Sequence, residues 1–149
     1  MTDISFYHLT TRSLENALPK LLELTLKSGE RAVILTGSDA RVKALNDHLW
    51  SYEPNSWLPH GSNIDGEETE QPIYLTTTDE NPNNATFLFL IDGAVSNQIQ
   101  TFKRVFELFD GRDKELVEAA RGKWKLYKES GHVLSYWKQG EDGKWSKAD

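Results

Sequence analysis

The chain contains no cysteine, which excludes disulfides and thiolate-held zinc and is the usage expected of a cytoplasmic protein. No apolar run reaches the length of a membrane span. The opening MTDISFYHL lacks the basic-then-apolar layout of a signal peptide. Basic residues are in deficit: 17 Lys and Arg stand against 23 Asp and Glu, a formal net charge of −6. A protein that binds nucleic acid by neutralising phosphates is usually basic, so the average charge argues against DNA or RNA as the main partner. A local basic face would escape that average. There is no internal repeat, no low-complexity tract and no linker, so the 149 residues are expected to form a single domain over 1–149, long enough to bury a core.

What is present alternates strand and helix patterns. Ile4–Leu9 (ISFYHL) reads as a strand. Leu14, Leu18, Leu21 and Leu22 follow helical spacing as far as Lys27, with Gly29 as a stop and Pro19 either kinking the helix or sitting in its first turn. Arg31–Thr36 (RAVILT) has the continuous apolar character of a strand covered on both faces. Ser38-Asp39 caps a helix whose stripe is Val42, Leu45 and Leu49. Asn63–Gln71 reads as a solvated loop, Ile73–Leu75 as a short strand and Thr76–Asn84 as a turn-rich connection. Thr86–Ile91 (TFLFLI) should be a central strand. After a polar lead-in over Asn97–Thr101, Phe102–Phe109 fits helix or strand, and its closing Asp110-Gly111 favours the strand. Asp113–Ser130 is a helix, His132–Lys138 a strand, and Glu141-Asp142-Gly143 a turn into a return strand at Lys144–Ser146. The pattern predicts an α/β, Rossmann-like domain: a mostly parallel central sheet flanked by helices, with a C-terminal β-hairpin.

Such a sheet invites a nucleotide site, yet there is no Walker A pattern and no G-x-G-x-x-G after a strand, so no nucleotide-binding loop is expected. Gly37-Ser38 precedes a helix and could hold an anion, but a simple cap accounts for it better. Asp92 and Asp110 each end a strand before a glycine. Paired carboxylates at strand ends can hold Mg²⁺, and Asp-Gly is equally a plain turn signal. His8, His48, His60 and His132 show no metal-ligand spacing, and there is no G-x-S-x-G nucleophile elbow. No cofactor and no metal is therefore expected.

Two stretches look like contact surfaces. On the late helix, at about 100° per residue, Leu116, Ala120 and Tyr127 share a face that should meet the sheet. Val117, Arg121, Trp124, Lys125 and Lys128 occupy the adjacent arc. This arc is either a solvated face with Trp124 half in the core, or a docking site in which cations take carboxylates and the ring forms a pocket for an apolar anchor. Asp47–Gly61 (DHLWSYEPNSWLPHG) places Trp50 and Trp57 on either side of a polar loop containing Pro54. Pattern alone leaves these tryptophans open between core and interface.

The chain resembles the chi subunit of bacterial DNA polymerase III. The resemblance rests on FYHL near the start, DHLW (Asp47–Trp50), SWLPHG (Ser56–Gly61), Pro72-Ile73, LFLIDGA (Leu88–Ala94), LFDGRD (Leu108–Asp113), AARGKWKLYKESGH (Ala119–His132) and YWKQ (Tyr136–Gln139). It covers nearly the whole chain. The resemblance implies a non-enzymatic adaptor with two partners. One is the psi subunit of the clamp-loader assembly, or an equivalent partner, with an accessory helicase as another user of the same surface. That surface corresponds here to Trp50, Trp57, Leu58, Pro59 and His60. The other partner is single-stranded DNA-binding protein, through its acidic C-terminal tail ending in phenylalanine, at Val117, Arg121, Trp124, Lys125 and Lys128. Val117 departs from members that carry a cation there. The hairpin with Trp137 and Trp145 extends beyond shorter members, where it would cover a sheet edge or reshape the tail pocket.

The expectation is thus a soluble cytoplasmic adaptor in DNA replication that touches neither DNA nor membrane directly. Its rivals are a metal-dependent phosphoryl-transfer enzyme using Asp92 and Asp110, and a direct single-stranded nucleic-acid binder that stacks bases on Trp124 beside Lys125 and Lys128.

Overall fold

The computed structural model describes residues 2–10, 14–51, 60–62, 67–142 and 145–148. Their apolar runs build one sheet from β1 (Asp3–Leu9), β2 (Ala32–Leu35), β3 (His60–Ser62), β4 (Ile73–Thr76), β5 (Phe87–Ile91), β6 (Arg104–Asp110), β7 (Val133–Gln139) and β8 (Trp145–Ala148). The spatial order is β3-β4-β2-β5-β6-β1-β7-β8. All pairings are parallel except the last, β7 with β8. The flanking helices are α1 (Leu14–Lys27), α2 (Asp39–Ser51) and α3 (Lys114–Glu129). The expected mostly parallel α/β architecture with a C-terminal hairpin is the one observed.

Side-chain alternation assigns the two faces. Tyr7, Leu9, Phe106 and Leu108 belong to one core layer with Leu18 and Leu22 of α1 and Leu45 and Leu49 of α2. Their neighbours Ile4, Phe6, Val105 and Phe109 pack with Ala120 and Tyr127 of α3. β2 and β5 are buried at every position, which is why AVIL and FLFLI show no polar alternation.

Pro19 lies beyond the first turn of α1, where its missing N–H leaves the Glu15 carbonyl without a helical donor. His48 of α2 supplies one: its Nε2 lies 2.7 Å from that carbonyl and must donate, because a carbonyl only accepts. The proline is thereby built into the α1–α2 contact. Ser38 caps α2 as expected, accepting the Arg41 N–H at 3.2 Å.

Two readings are refined. Phe102–Phe109 resolves into strand β6 with Phe102 buried on its approach, preceded by a 3-10 turn at Ile99–Thr101. The short strand β3 falls where the sequence reads only as turn and loop, because three residues carry no periodicity. The hairpin strand β8 covers the edge of β7. Trp137 and Trp145 pack on Tyr7, with ring centroids 6.4 and 5.1 Å away, on the α1–α2 side of the sheet. Of the two roles open to the hairpin, edge cover is the one its placement provides.

Candidate docking groove

α3 starts where Asp113 accepts the N–H groups of Glu115 and Leu116 at 3.0 and 3.3 Å, and ends before Gly131 at φ +86. Ala120 and Tyr127 anchor its inner face, with Leu116 half-buried beside them. A residue absent from the apolar stripe, Lys123, also turns inward. Its Nζ meets Glu107 Oε1 of β6 at 2.8 Å and the Ala94 carbonyl, with side chains only 11% and 2% exposed. Burial pushes the Glu107 carboxyl up to about 7, against the pull of the Lys123 charge. Together these contacts fix the rotation of α3 and decide what its other faces offer.

The arc named from the sequence then lies along the seam where α3 meets β7, the candidate groove. Val117 and Trp124 are half-buried, whereas Arg121, Lys125 and Lys128 are exposed. Among the described residues none of those three cations is ion-paired. Trp124 is edge-on to Phe6 at 5.2 Å and to Tyr136 at 5.8 Å. It is therefore partly core and partly groove wall.

The floor comes from the sheet. The parallel register of β1 and β7 pairs Phe6 with Tyr136 and His8 with Lys138, so these residues face α3 side by side. Phe6 stacks on Tyr136 with centroids 6.4 Å apart. His8 Nδ1 lies 2.5 Å from Tyr136 Oη, and the imidazole rests 5.2 Å from the Phe109 ring. Burial pushes the His8 pKa down, and the charges of Lys138 and Arg121 add to that while Asp110 opposes it. Burial raises the Tyr136 hydroxyl, with Arg121 pulling the other way. Helical periodicity had supplied only the α3 wall. His8, Tyr136 and Lys138 were missed, because only the register brings residues 128 to 130 positions apart into one row.

A separate cavity of about 450 Å³ opens at the carboxyl ends of β1, β5 and β6, with Arg41, Asp92, Asp110, Arg112 and Asp113 in its lining. This is where open α/β sheets bind ligands. Here Arg41 spans Glu15 at 2.6 Å and Asp92 at 2.8 Å, and Arg112 holds Asp110 at 3.0 Å, drawing that carboxyl below its usual range. Two of the N–H groups at the start of α3, those of Glu115 and Leu116, are taken by the chain's own Asp113. Asp92 and Gly93 adopt φ +55 and +81, the backbone of a turn. Among the described residues no three His, Asp or Glu side chains form a cluster that could hold a metal ion.

At the opposite sheet edge, the backbone of Trp50 belongs to the last turn of α2. Trp57, Leu58 and Pro59 lie outside the described residues. His60 is 3% exposed, and its Nε2 donates to the Asn46 carbonyl at 3.1 Å. Its ring ties β3 to α2, so it would support a surface there from beneath. His132 accepts the Thr2 N–H at 3.2 Å. No helix among the described residues is long and apolar enough to cross a membrane.

Fold and groove define a class: a mostly parallel α/β domain that presents a cation-rimmed aromatic groove between one helix and a strand near the sheet edge. Residues 1–135 match the family described as DNA polymerase III chi subunit, HolC. The chain is 34% identical over 126 residues to the probable DNA polymerase III subunit chi of Rickettsia prowazekii (strain Madrid E), covering 78% of this chain and 76% of that protein. It is 25% identical over 137 residues to DNA polymerase III subunit chi of Pseudomonas aeruginosa, covering 90% and 94% of the two chains. The crystal structure of T4 UvsW is similar in fold, with a TM-score of 0.55 at 9% identity, over 92% of this chain and 41% of that one. The chain belongs to the DNA polymerase III chi subunit family, accessory subunits in DNA replication.

Proposed function

We propose that this chain is a non-catalytic bridge within the replication machinery. The groove between α3 and β7 holds the acidic, phenylalanine-ended C-terminal tail of single-stranded DNA-binding protein. The region of Trp50, Trp57, Leu58, Pro59 and His60 engages psi or an equivalent clamp-loader partner, or an accessory helicase. One observation carries the first contact. A chain of net charge −6 exposes Arg121, Lys125 and Lys128, without ion-pair partners among the described residues, around half-buried Val117, Trp124 and Tyr136. Exposed cations seek carboxylates, and the aromatic floor suits a terminal ring. The partner of the tryptophan region rests on family membership.

The test is titration of a tail peptide into wild type and Arg121→Ala, with a peptide lacking the terminal phenylalanine as control. Wild type should bind, and both the substitution and the truncation should weaken binding by about tenfold or more. Equal binding by Arg121→Ala, or preferential binding of naked single-stranded DNA, would overturn the groove assignment.

A further inference from the structure

The groove floor contains a titratable group that its role as a cation-lined pocket does not require. His8 lies half-buried on β1, and every element packed against it presents a charged or titratable group. Tyr136 and Lys138 come from β7, Arg121 from α3, and Asp110 from the end of β6, itself bound to Arg112. The imidazole is also confined sterically. Gly111, at the turn between β6 and α3, lies so close that a Cβ there would stand 2.0 Å from His8 Nε2.

The His8–Tyr136 hydrogen bond gives protonation a structural consequence. A phenol has one proton to donate. With neutral His8 protonated on Nε2, Nδ1 accepts, and the Tyr136 proton is spent inward at 2.5 Å. Imidazolium carries protons on both nitrogens. Nδ1–H then donates to Tyr136 Oη, and the hydroxyl proton is free to turn toward a ligand. In the empty groove two things hold His8 neutral, burial and the nearby cations Lys138 and Arg121. Carboxylates bound to those cations remove the repulsion and supply an attraction instead, so filling the groove favours the imidazolium.

We infer that His8 and Tyr136 make this groove proton-linked: an acidic chain end draws a proton onto His8 as it binds, and is held more tightly as pH falls. The inference rests on the groove being the tail site and adds its regulation. The reciprocal nature of linkage fixes the sign. A proton favoured by bound peptide must itself favour peptide.

The experiment is calorimetric titration of an N-acetylated tail peptide from about pH 8 to about pH 6, in two buffers of different ionisation heat. Wild type should tighten by on the order of five- to tenfold across this range and take up a fraction of a proton. His8→Asn should bind with little pH dependence and no uptake. Tyr136→Phe should keep the uptake but bind more weakly at the acidic end. In wild type, NMR titration should show the His8 pKa rising on saturation with peptide while the other histidines stay put. This last readout does not depend on any variant folding. Peptide binding with no proton uptake, an unmoved His8 pKa, or a His8→Asn slope equal to wild type would overturn the proton linkage and leave the tail site standing. No binding at low salt at either end of the range would overturn the tail site and the linkage with it.

Discussion

Glu107 is an acid held 2% exposed beneath a helix, and its second oxygen, Oε2, has no hydrogen-bond partner among the described residues. Its folded-state pKa is raised from 4.5 to about 7. Between those values the folded state holds more proton than the unfolded chain, so the contribution to stability is fully present at the acidic end and is lost as pH rises to about 7. The loss amounts to on the order of 3 kcal/mol. Wild type should therefore lose stability relative to Glu107→Gln between these limits, as read by denaturant melts at several pH values; parallel curves would refute the raised pKa. Lys123→Met removes the charge that opposes this shift, so Glu107 should stay protonated to higher pH and the loss of stability should extend past about pH 7. Gly111 is constrained differently. A Cβ there would meet His8 Nε2 at 2.0 Å and the Leu9 carbonyl at 2.8 Å, and backbone cannot easily yield. Gly111→Ala should destabilise by about 1 to 3 kcal/mol with an unchanged denaturant slope, and should weaken tail peptide binding by displacing His8.

At the scale of elements, α1 and α2 are joined by a repair. Pro19 removes the donor that the Glu15 carbonyl would have had within α1, and His48 replaces it from α2. His48→Ala should cost about 1 kcal/mol in the native background and distinctly less in Pro19→Ala, where the helix supplies its own N–H. The double-mutant cycle reads that coupling directly, and additive effects would refute it. Neither residue reveals the pairing from sequence, where Pro19 reads as either a kink or a first-turn residue. The same boundary runs through the fold and the groove. The apolar runs AVIL and FLFLI, the stripe of α3 and the cap at Ser38 are local signals and were legible. The three-residue strand β3 has no period to detect, and Phe102–Phe109 satisfies two periods at once. In the groove, helical spacing grouped Val117, Arg121, Trp124, Lys125 and Lys128. His8, Tyr136 and Lys138 reach them only through the β1–β7 register, a tertiary fact that no local window contains. The inward turn of Lys123 has no local signal, because nothing in its sequence neighbourhood announces Glu107.

On the scale of the whole molecule, the sheet separates the two proposed contacts. β3, beside the carboxyl end of α2, forms one edge, whereas β7 lies six strand positions away, next to the other. At about 4.8 Å per strand this is roughly 29 Å. Helices α2 and α3 lie on opposite faces of the sheet, since α2 shares a core layer with Tyr7 and Leu9 and α3 one with Ile4 and Phe6. A bridge needs both sites filled at once, and the separation of α3 from the carboxyl end of α2 is compatible with that. Linking the partners through one rigid sheet would raise the effective concentration of each near the other. The two contacts differ in physics as well. The groove relies on exposed cations, whose attraction is screened over about 8 to 10 Å at ordinary ionic strength. A tryptophan-centred contact relies on buried apolar area and should change little with salt. Saturating the groove with tail peptide should therefore alter affinity for psi or its equivalent by less than about twofold. Raising salt from about 0.05 to about 0.5 M should weaken the tail severalfold and spare the second contact. Surface-captured chain, challenged with each partner alone and then with both, measures each effect. Mutual exclusion would place both partners on one surface and end the bridge reading, whereas a shared salt response would show that the second contact is also built from charge.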